Sequence, residues 1–252
     1  MTDNTQRFTD RVDTYVKYRP SYPSEAIDYL FDTVGLRPGG EVADIGAGTG
    51  KFTRLLLERG SVVHAVEPNE AMRTAAVAEL GGTPGFHAVD GTAEATTLSD
   101  GAVDHIVCAQ AFHWFDREAA KKEFRRLLRP GGHAALVWNS RVTQGAPFLE
   151  AYDNLLRTYG IDYEKVGHKN ISEEELAGFF LPGHMRVARF PSGQLLDFEA
   201  LSGRMRSSSY VPQPDHPNFE PMMAELRHIF DRCNANGLVS FDYETEVFWG
   251  GV

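Results

Sequence analysis

The stretch "VADIGAGTGKF", residues 42–52, decides the fold of this protein. Residues 42–45 are typical of a buried strand, glycine then stands at every second position from Gly46 to Gly50, and a helical pattern begins at Lys51. Glycine permits positive φ angles and lets the backbone approach a ligand without a Cβ clash. In a doubly wound sheet such a turn lies beyond the carboxyl end of a strand, where ligands bind. The stretch therefore predicts a strand, a ligand-binding turn and a helix.

The spacing of the glycines separates the ligand classes that such a turn can serve. A phosphate loop requires G-x-x-x-x-G-K-[ST], but Ile45 occupies the position of its first glycine and Phe52 that of its hydroxyl residue. A dinucleotide site requires G-x-G-x-x-G, and its third glycine would fall on Lys51. The spacing therefore excludes a phosphate loop and weakens the dinucleotide site without eliminating it. An adenosyl cofactor that lacks phosphate is the third possibility.

Around this stretch, short apolar runs alternate with helical periodicity, which is typical of a parallel sheet wound with helices. We predict strands at residues 42–45, 62–66, 85–89, 103–109 and 134–138. We predict the intervening helices at residues 51–59, 70–80 and 117–128. The apolar runs are nearly continuous, as they are in strands that are covered on both faces.

Periodicity is weaker after residue 140. Two helices are predicted at residues 147–159 and 219–234, and two strands at residues 185–190 and 243–249. The segment "ISEEELAGFF" predicts a further helix, which Ser172 and Glu175 cap reciprocally. Residues 191–240 are longer than a connection requires, so we expect them to form part of a lid or cap over the ligand site.

Five motifs follow one another along the chain. They are "VADIGAGTGKF", "VHAVEPNEAM", "DGTAEATTLSDGAVD", "VCAQAFHWFD" and "LLRPGGHAALVW". In this order they resemble the motifs of the class I S-adenosylmethionine-dependent methyltransferases, and the chain is similar to the small-molecule branch called methyltransferase type 11. The likeness is strong over residues 15–138 and vague beyond residue 140.

The resemblance implies an α/β fold with a Rossmann-like, doubly wound, seven-stranded sheet. The sheet is expected to be mostly parallel with a late antiparallel strand, and a helical cap is expected to accompany it. Residues 1–35 would close over the cofactor, and residues 36–140 would form the S-adenosylmethionine-binding core. Residues 141–252 would add the remaining core strands and a helical cap that forms the substrate region, all within one structural domain.

The same resemblance implies S-adenosylmethionine as cofactor and S-adenosylhomocysteine as product. Glu67 ends the second predicted strand, 21 residues after Gly46, where a carboxylate accepts hydrogen bonds from both ribose hydroxyls. Asp44 is expected to hold the glycine turn, or to reach the amino group of the cofactor through water. The cofactor-binding residues that the resemblance implies are Tyr18, Arg19, Tyr22, Asp44, Gly46, Ala47, Gly48, Thr49, Gly50, Glu67, Pro68, Met72, Thr92, Ala93, Glu94 and Gln110.

The acceptor of the methyl group is expected to lie beside the fourth predicted strand. His113 is the candidate catalytic residue, as a positioning group or as a general base. We favour positioning, because methyl transfer to a carboxylate depends on in-line geometry more than on proton transfer. The residues expected to contact the acceptor are His113, Trp114, Arg141, Arg206, Tyr210 and Trp249.

Composition excludes several other classes of function. A net charge of −10 opposes binding to nucleic acid, whose phosphates require positive potential. The chain has neither an apolar run of about 18 residues for a membrane span nor a signal-like start, so we expect a cytoplasmic protein without membrane contact. The two cysteines, Cys108 and Cys233, give no zinc spacing, and no H-E-x-x-H is present, so no metal site is expected.

The sequence therefore predicts an enzyme that moves a methyl group from S-adenosylmethionine to a small organic acceptor. The resemblance points to oxygen as the acceptor atom, such as that of a carboxylate, and to a monomer or homodimer. Two alternatives stay open. One is a cofactor-binding protein that regulates or scaffolds without turnover, and the other is an NAD-dependent oxidoreductase, against which the missing third glycine counts.

Overall fold

The structure, a computed structural model, describes residues 20–164 and 171–252. Its centre is a seven-stranded sheet with the strand order β3-β2-β1-β4-β5-β7-β6. The strands are β1 Glu41–Ile45, β2 Val62–Val66, β3 Phe86–Val89, β4 Val103–Ala109, β5 Leu128–Arg141, β6 Arg186–Leu196 and β7 Val239–Gly250. Strands β1 to β5 pair in parallel, and β7 lies antiparallel to both β5 and β6. The predicted Rossmann-like sheet with a late antiparallel strand is confirmed.

Eight α-helices accompany the sheet in the described part of the chain. They are α1 Ser24–Tyr29, α2 Lys51–Glu58, α3 Glu70–Leu80, α4 Arg117–Leu127, α5 Pro147–Tyr159, α6 Glu173–Phe179, α7 Phe198–Arg206 and α8 Phe219–Cys233. One π-helical turn, Leu30–Val34, continues α1, and one 3₁₀ turn, Phe112–Trp114, follows β4. Several helices begin at side-chain caps, such as Asn69 before α3 and Asp116 before α4, as the preference of such residues for the N-cap position leads one to expect.

Three apolar clusters hold these layers together. The first lies on the sheet face that α4 and α6 cover, and Phe112, Phe124 and Trp138 are among its fully buried side chains. The second lies on the opposite face, under α1 and α2. The third joins α5, α7 and α8 to the ends of β6 and β7. This third cluster forms the helical layer beside the carboxyl end of β5.

The strands of the second half are longer than the sequence predicts. Strand β5 runs from Leu128 to Arg141, and β7 pairs with it from Ala134 to Arg141. Strand β6 reaches Leu196, so residues 191–196 belong to the sheet and not to the predicted cap. Pairing with β7 extends β5 to Arg141 and β6 to Leu196, beyond their apolar runs, whereas the earlier part of β5 pairs with β4 at Leu128 and His133.

Within residues 20–164 and 171–252, none of the helices combines the length and the apolar character that crossing a lipid bilayer requires. The same residues contain no group of three or more histidine, cysteine or acidic side chains placed to hold a metal ion.

Candidate functional site

A cleft of about 170 Å³ opens at the carboxyl ends of β1, β2 and β4. This is the edge at which parallel doubly wound sheets bind ligands. The residues that line the cleft are Gly46, Gly48, Glu67, Pro68, Asn69, Met72, Thr92, Ala93, Glu94, Ala109, Gln110, Ala111, Trp114 and Phe115. The structure thus brings together residues from four of the five motifs, which are far apart in sequence.

The glycine turn after β1 forms one wall of the cleft. Gly46 has a φ of +74°, and a Cβ on it would lie 2.5 Å from the Cβ of Ala111, so a side chain there is excluded by the loop after β4. Gly48 has a φ of +57°, and a Cβ on it would meet nothing within 4 Å, so it faces open space. Gly50 instead packs against Leu80 of α3 and lies outside the cleft lining. Of the three glycines, Gly48 therefore offers the bare backbone to a ligand.

Glu67 holds the opposite wall, at the end of β2. Its Oε2 accepts a hydrogen bond from the Gly48 amide at 2.8 Å, and its Oε1 accepts one from the Asn69 amide at 2.8 Å. Each carboxylate oxygen has two lone pairs, so both can still accept a hydroxyl proton from a ligand. Burial raises the pKa of Glu67, while the two amide hydrogen bonds and the charge of Arg73 lower it. Two fixed hydrogen bonds thus orient this carboxylate toward the cleft before any ligand binds.

Asp44 is completely buried in β1, two residues before Gly46. Its Oδ2 accepts a hydrogen bond from the Thr53 hydroxyl at 2.6 Å, and its Oδ1 has no hydrogen-bond partner among the described residues. Burial, together with the nearby charge of Glu67, raises the pKa of Asp44 to about 7 despite the hydrogen bond from Thr53. An orphaned buried acceptor beside a second carboxylate suits a bound cationic group, directly or through water.

The loop after β3 supplies the third wall with Thr92, Ala93 and Glu94. The Thr92 amide and carbonyl exchange hydrogen bonds with Ala95, which closes a tight turn, and Ala93 is buried. The Glu94 carboxylate accepts a hydrogen bond at 2.9 Å from the amide of Asp116, the residue that caps α4. The loop is therefore tied to α4.

Gln110 lies at the carboxyl end of β4 with a left-handed backbone, at a φ of +61°. This region is uncommon for residues other than glycine and costs on the order of 1 kcal/mol or more. The Gln110 amide donates to the carbonyl of Val137, and its side-chain amide donates to the carbonyl of Asn139 at 3.4 Å. The β5 backbone thus holds Gln110 in a strained conformation inside the cleft, as is common at functional sites.

His113 and Trp114 belong to the 3₁₀ turn after β4, and their rings are 4.6 Å apart. Trp114 and Phe115 line the cleft, whereas His113 is not among the described residues that do so. The structure therefore places aromatic side chains where the sequence analysis placed a candidate base. The catalytic role of His113 stays a prediction.

Beyond the cleft, the third apolar cluster contains a group of buried polar side chains. Arg141, at the end of β5, donates to the Asp153 carboxylate at 2.6 Å and to the Tyr163 hydroxyl. Its guanidinium also lies 5.1 Å from the centre of the Tyr152 ring, and Tyr210 packs edge-on against Tyr163 at 5.0 Å. Two of the predicted acceptor residues, Arg141 and Tyr210, are therefore brought together.

The other predicted acceptor residues are placed differently. Arg206 is exposed at the end of α7, and the arginine that α7 directs into the cluster is Arg204, which is only 7% exposed. Trp249 is the register partner of Ala135, six residues before Arg141 on β5. There it packs against Tyr29 and donates a hydrogen bond to the Tyr29 hydroxyl. Neither Arg206 nor Trp249 lies with Arg141 and Tyr210.

The remaining predicted cofactor residues lie around the turn or outside the described chain. Ala47 and Thr49 are buried within the glycine turn, and Tyr22 packs edge-on against Phe52 at the start of α2. Tyr18 and Arg19 lie outside the described residues.

Sequence reasoning missed several residues of the site. They are Asn69, Ala109, Ala111 and Phe115, all of which line the cleft. Asn69 carries a signal that could have found it, because it is the N-cap of α3 and accepts from the Met72 amide at 3.0 Å. The alanines carry no such signal, since only the fold shows that they face a cleft.

Comparison with known proteins places these features in a family. A family model described as "Methyltransferase domain" (Methyltransf_11) matches residues 43–136. An uncharacterized methyltransferase-like protein of Schizosaccharomyces pombe is 30% identical over 249 residues, which cover 96% of this chain and 93% of that protein. An uncharacterized methyltransferase of Mycobacterium tuberculosis is 46% identical over 139 residues. That match covers 55% of this chain, which spans about half (54%) of the mycobacterial protein.

Solved structures share the fold at low sequence identity. One from Anaeromyxobacter dehalogenans, described as a candidate type II methyltransferase, has a TM-score of 0.66 at 22% identity and covers 93% of this chain and 97% of its own. The geranyl diphosphate C-methyltransferase of Streptomyces coelicolor, solved with S-adenosylhomocysteine, has a TM-score of 0.50 at 18% identity, covering 91% of this chain and 76% of its own.

Proposed function

The chain belongs to the type 11 branch of the class I methyltransferase family, and from this premise we propose that it transfers a methyl group from S-adenosylmethionine to a small organic acceptor. The acceptor atom we propose is an oxygen, such as that of a carboxylate. The observation that carries the proposal is the pair formed by Glu67 and Gly48. The amide of a bare backbone turn at the end of β1 holds a carboxylate at the end of β2, and both groups line the same open cleft.

The residues of the cleft fit S-adenosylmethionine. The Glu67 carboxylate is placed to accept hydrogen bonds from the ribose hydroxyls, since both of its oxygens keep a free lone pair. The carboxyl groups of Asp44 and Glu67 lie beside the glycine turn, and in their charged forms they would suit the amino group and the sulfonium. The loop of Thr92, Ala93 and Glu94 would hold the adenine.

When bound, the cofactor would supply an electrophilic methyl group, and its sulfur would keep the electron pair of the bond that breaks as the bond to the acceptor forms. The residues of the chain bind, orient and exclude water. Trp114 and Phe115 line the cleft. Gln110 lies at the side of the cleft next to β5, where its side-chain amide donates to the Asn139 carbonyl. A carboxylate acceptor is already deprotonated, so we expect orientation rather than proton removal to be the contribution of the protein.

The partner we propose is thus a small molecule, and the protein would act as a monomer or a homodimer. The net charge of −10 argues against a nucleic-acid substrate.

The test of the proposed function is thermal unfolding with S-adenosylhomocysteine and, separately, with NADH. A ligand at a hundredfold excess over its Kd adds about 2.7 kcal/mol to the free energy of unfolding, which raises Tm measurably. We expect S-adenosylhomocysteine to raise Tm and NADH to leave it unchanged. In Glu67→Ala the response to S-adenosylhomocysteine should be lost.

The matched control is Glu70→Ala, which removes an exposed carboxylate three residues away. It should respond as the wild-type protein does. A response to NADH alone would overturn the proposal in favour of a nicotinamide enzyme. Binding of S-adenosylhomocysteine without methyl release in a metabolite mixture would instead favour a regulatory or scaffolding protein.

A further inference from the structure

Arg204 is a buried cation whose partners are neutral. Its Nε donates to the Tyr243 hydroxyl at 2.9 Å, and its Nη1 lies 3.1 Å from the Ser208 hydroxyl and 3.5 Å from that of Ser207. The guanidinium also lies 5.8 Å from the centres of the Phe241 and Tyr243 rings. Within the described residues, no carboxylate lies within ion-pair distance of it. A guanidinium stays charged at physiological pH, so the burial of this one carries an uncompensated charge.

The nearby charged side chains, Arg141, Asp153 and Arg157, do not neutralise the charge of Arg204. Arg141 is paired with Asp153, and the same carboxylate accepts a second ion pair from Arg157, whose side chain is half exposed. The Asp153 carboxylate is therefore already shared between two other arginines. Burying an ion without a counter-ion costs several kcal/mol, and a cluster of this kind is expected to take up an anion.

Hydrogen bonds connect the cluster to the cleft across the sheet. Gln110 of the cleft donates to the carbonyl of Asn139, and the Asn139 side chain accepts from the Thr245 hydroxyl at 2.6 Å. Tyr243 lies two residues from Thr245 on the same face of β7, and it contacts Arg204. From β4 to β7 there are two strand spacings, or roughly 10 Å. Tyr243 pairs with Arg141, three residues further along β5 than the level of Gln110, so Arg204 lies beyond the end of the cleft that Gln110 marks.

We propose that Arg204 binds a carboxylate of the methyl acceptor, at a distance from the atom that receives the methyl group. The acceptor is thus an acid with one anionic handle beyond the methylated group, such as a dicarboxylic acid that becomes its monoester. This inference rests on the proposed function and names its substrate class. The hydroxyls of Tyr243, Ser207 and Ser208 keep the guanidinium oriented, and the surrounding rings exclude water.

A role in binding an acid would explain why a buried arginine, and not an apolar residue, occupies position 204. The planar guanidinium binds a carboxylate with two parallel hydrogen bonds, which fixes both its position and its plane. An anchor of this kind would orient the far end of the acceptor in line with the methyl group. A hydrophobic residue of similar size would fill the same space at lower cost in desolvation, but it would bind no acid.

The experiment is calorimetric titration of the protein saturated with S-adenosylhomocysteine. The probes are succinate, glutarate, adipate and suberate, each beside its diamide, in wild type, Arg204→Met and Arg206→Met. We expect wild type to bind at least one dicarboxylate and none of the diamides. Arg204→Met should bind that acid at least about tenfold more weakly, which corresponds to about 1.4 kcal/mol. Arg206→Met, which changes an exposed arginine of the same helix, should bind it as wild type does.

The outcomes separate this inference from the proposed function. Failure of wild type to bind S-adenosylhomocysteine would remove the proposed function itself. Binding of S-adenosylhomocysteine with no binding of any dicarboxylate, or with equal binding by Arg204→Met, would overturn only the role of Arg204. Arg204→Met should also unfold at no lower a temperature than wild type without ligands. A lower Tm with unchanged acid binding would assign Arg204 a structural role and overturn the inference.

If Arg204→Met does not fold, Arg204→Lys provides the same test. It keeps the charge and loses the planar fork, so we expect weakened acid binding with an unchanged response to S-adenosylhomocysteine. Full acid binding by Arg204→Lys would contradict the proposed bidentate contact.

Discussion

At the scale of single residues, Asp44 has an unusual environment for a carboxyl group. Burial raises its pKa to about 7, and the nearby Glu67 adds to the effect. A group with this pKa is mostly protonated below neutral pH and mostly charged above it. Binding of a cation beside it favours the charged form, so the two equilibria are linked.

We therefore predict that the affinity for S-adenosylhomocysteine, whose amino group is cationic, falls as the pH drops below about 7. The limiting slope is about tenfold per pH unit for one linked proton. Calorimetric Kd values between about pH 5 and about pH 8 measure it. Asp44→Asn should bind more weakly and with a smaller slope. An affinity in wild type that does not change over this range would contradict the linkage.

The titration of Asp44 can also be tested without ligand, through its effect on the free energy of unfolding. The pKa of Asp44 is raised in the folded state, so its contribution to stability is fully present below its unfolded value of 3.8 and is lost as the pH rises through about 7. Asp44→Asn lacks this titration. Without ligand, its stability should therefore decline less than that of wild type between about pH 4 and about pH 8.

At the scale of elements, Glu123 of α4 connects that helix to the loop that carries Thr92, Ala93 and Glu94. Its Oε1 accepts from the amide of Thr96 at 2.9 Å and from its hydroxyl at 2.6 Å. Arg126 donates to both carboxylate oxygens, at 2.7 Å and 2.8 Å. These hydrogen bonds, those from Arg126 foremost, lower the pKa of Glu123 to about 2.

We predict that Glu123→Gln destabilises the protein by about 2–3 kcal/mol at neutral pH. Because the pKa is lowered in the folded state, the contribution is present above the unfolded value of 4.5 and is lost as the pH falls through about 2. Denaturant unfolding at several pH values should show the difference between variant and wild type shrinking in acid. Glu118→Gln, which alters an exposed residue of α4, is the control and should be near neutral. Equal stability of Glu123→Gln and wild type at neutral pH would refute the role of this network.

At the scale of the whole molecule, β7 belongs to every layer of the structure. Phe248 lies in the first apolar cluster, Val247 and Trp249 in the second, and Phe241 and Tyr243 in the third. Strand β7 also pairs with β5 and β6 along their lengths. Without β7, strand β5 would have an exposed edge, and each of the three apolar clusters would lose at least one large side chain.

We predict that residues 36–140 do not fold cooperatively on their own, although they carry the cofactor motifs. A fragment of these residues should show no single thermal transition by circular dichroism and no response to S-adenosylhomocysteine. The full chain is the control, and it should unfold in one transition that is the same by tryptophan fluorescence. A cooperative, ligand-responsive fragment would show instead that the chain consists of two independent domains.

The charge of the site is also a property of the whole molecule. Asp44 and Glu67 place two carboxyl groups beside the glycine turn, and in the role that we propose for it Arg204 would place a cation at the far end of the acceptor. A cationic methyl donor and an anionic acceptor would thus each bind at the end of opposite charge.

The sequence by itself determined the local features of this protein. The strand, turn and helix around Gly46, Gly48 and Gly50 were predictable, because glycine spacing and apolar runs act over a few residues. The capping box of Ser172 and Glu175 is confirmed, with hydrogen bonds in both directions. The order of five motifs then indicated the family and its sheet.

Only the tertiary structure decided which side chains face the site. Arg204 and Arg206 are two residues apart on one helix and so point to nearly opposite sides; the sequence analysis named Arg206, which is exposed, whereas Arg204 is buried. The choice depends on Tyr243, which is 39 residues away and accepts the hydrogen bond from Arg204. Trp249 likewise pairs with Ala135, six residues away from Arg141 along β5, because antiparallel pairing sets its register. Local patterns fix dihedral angles and caps, but orientation toward a site depends on packing against elements that are distant in sequence.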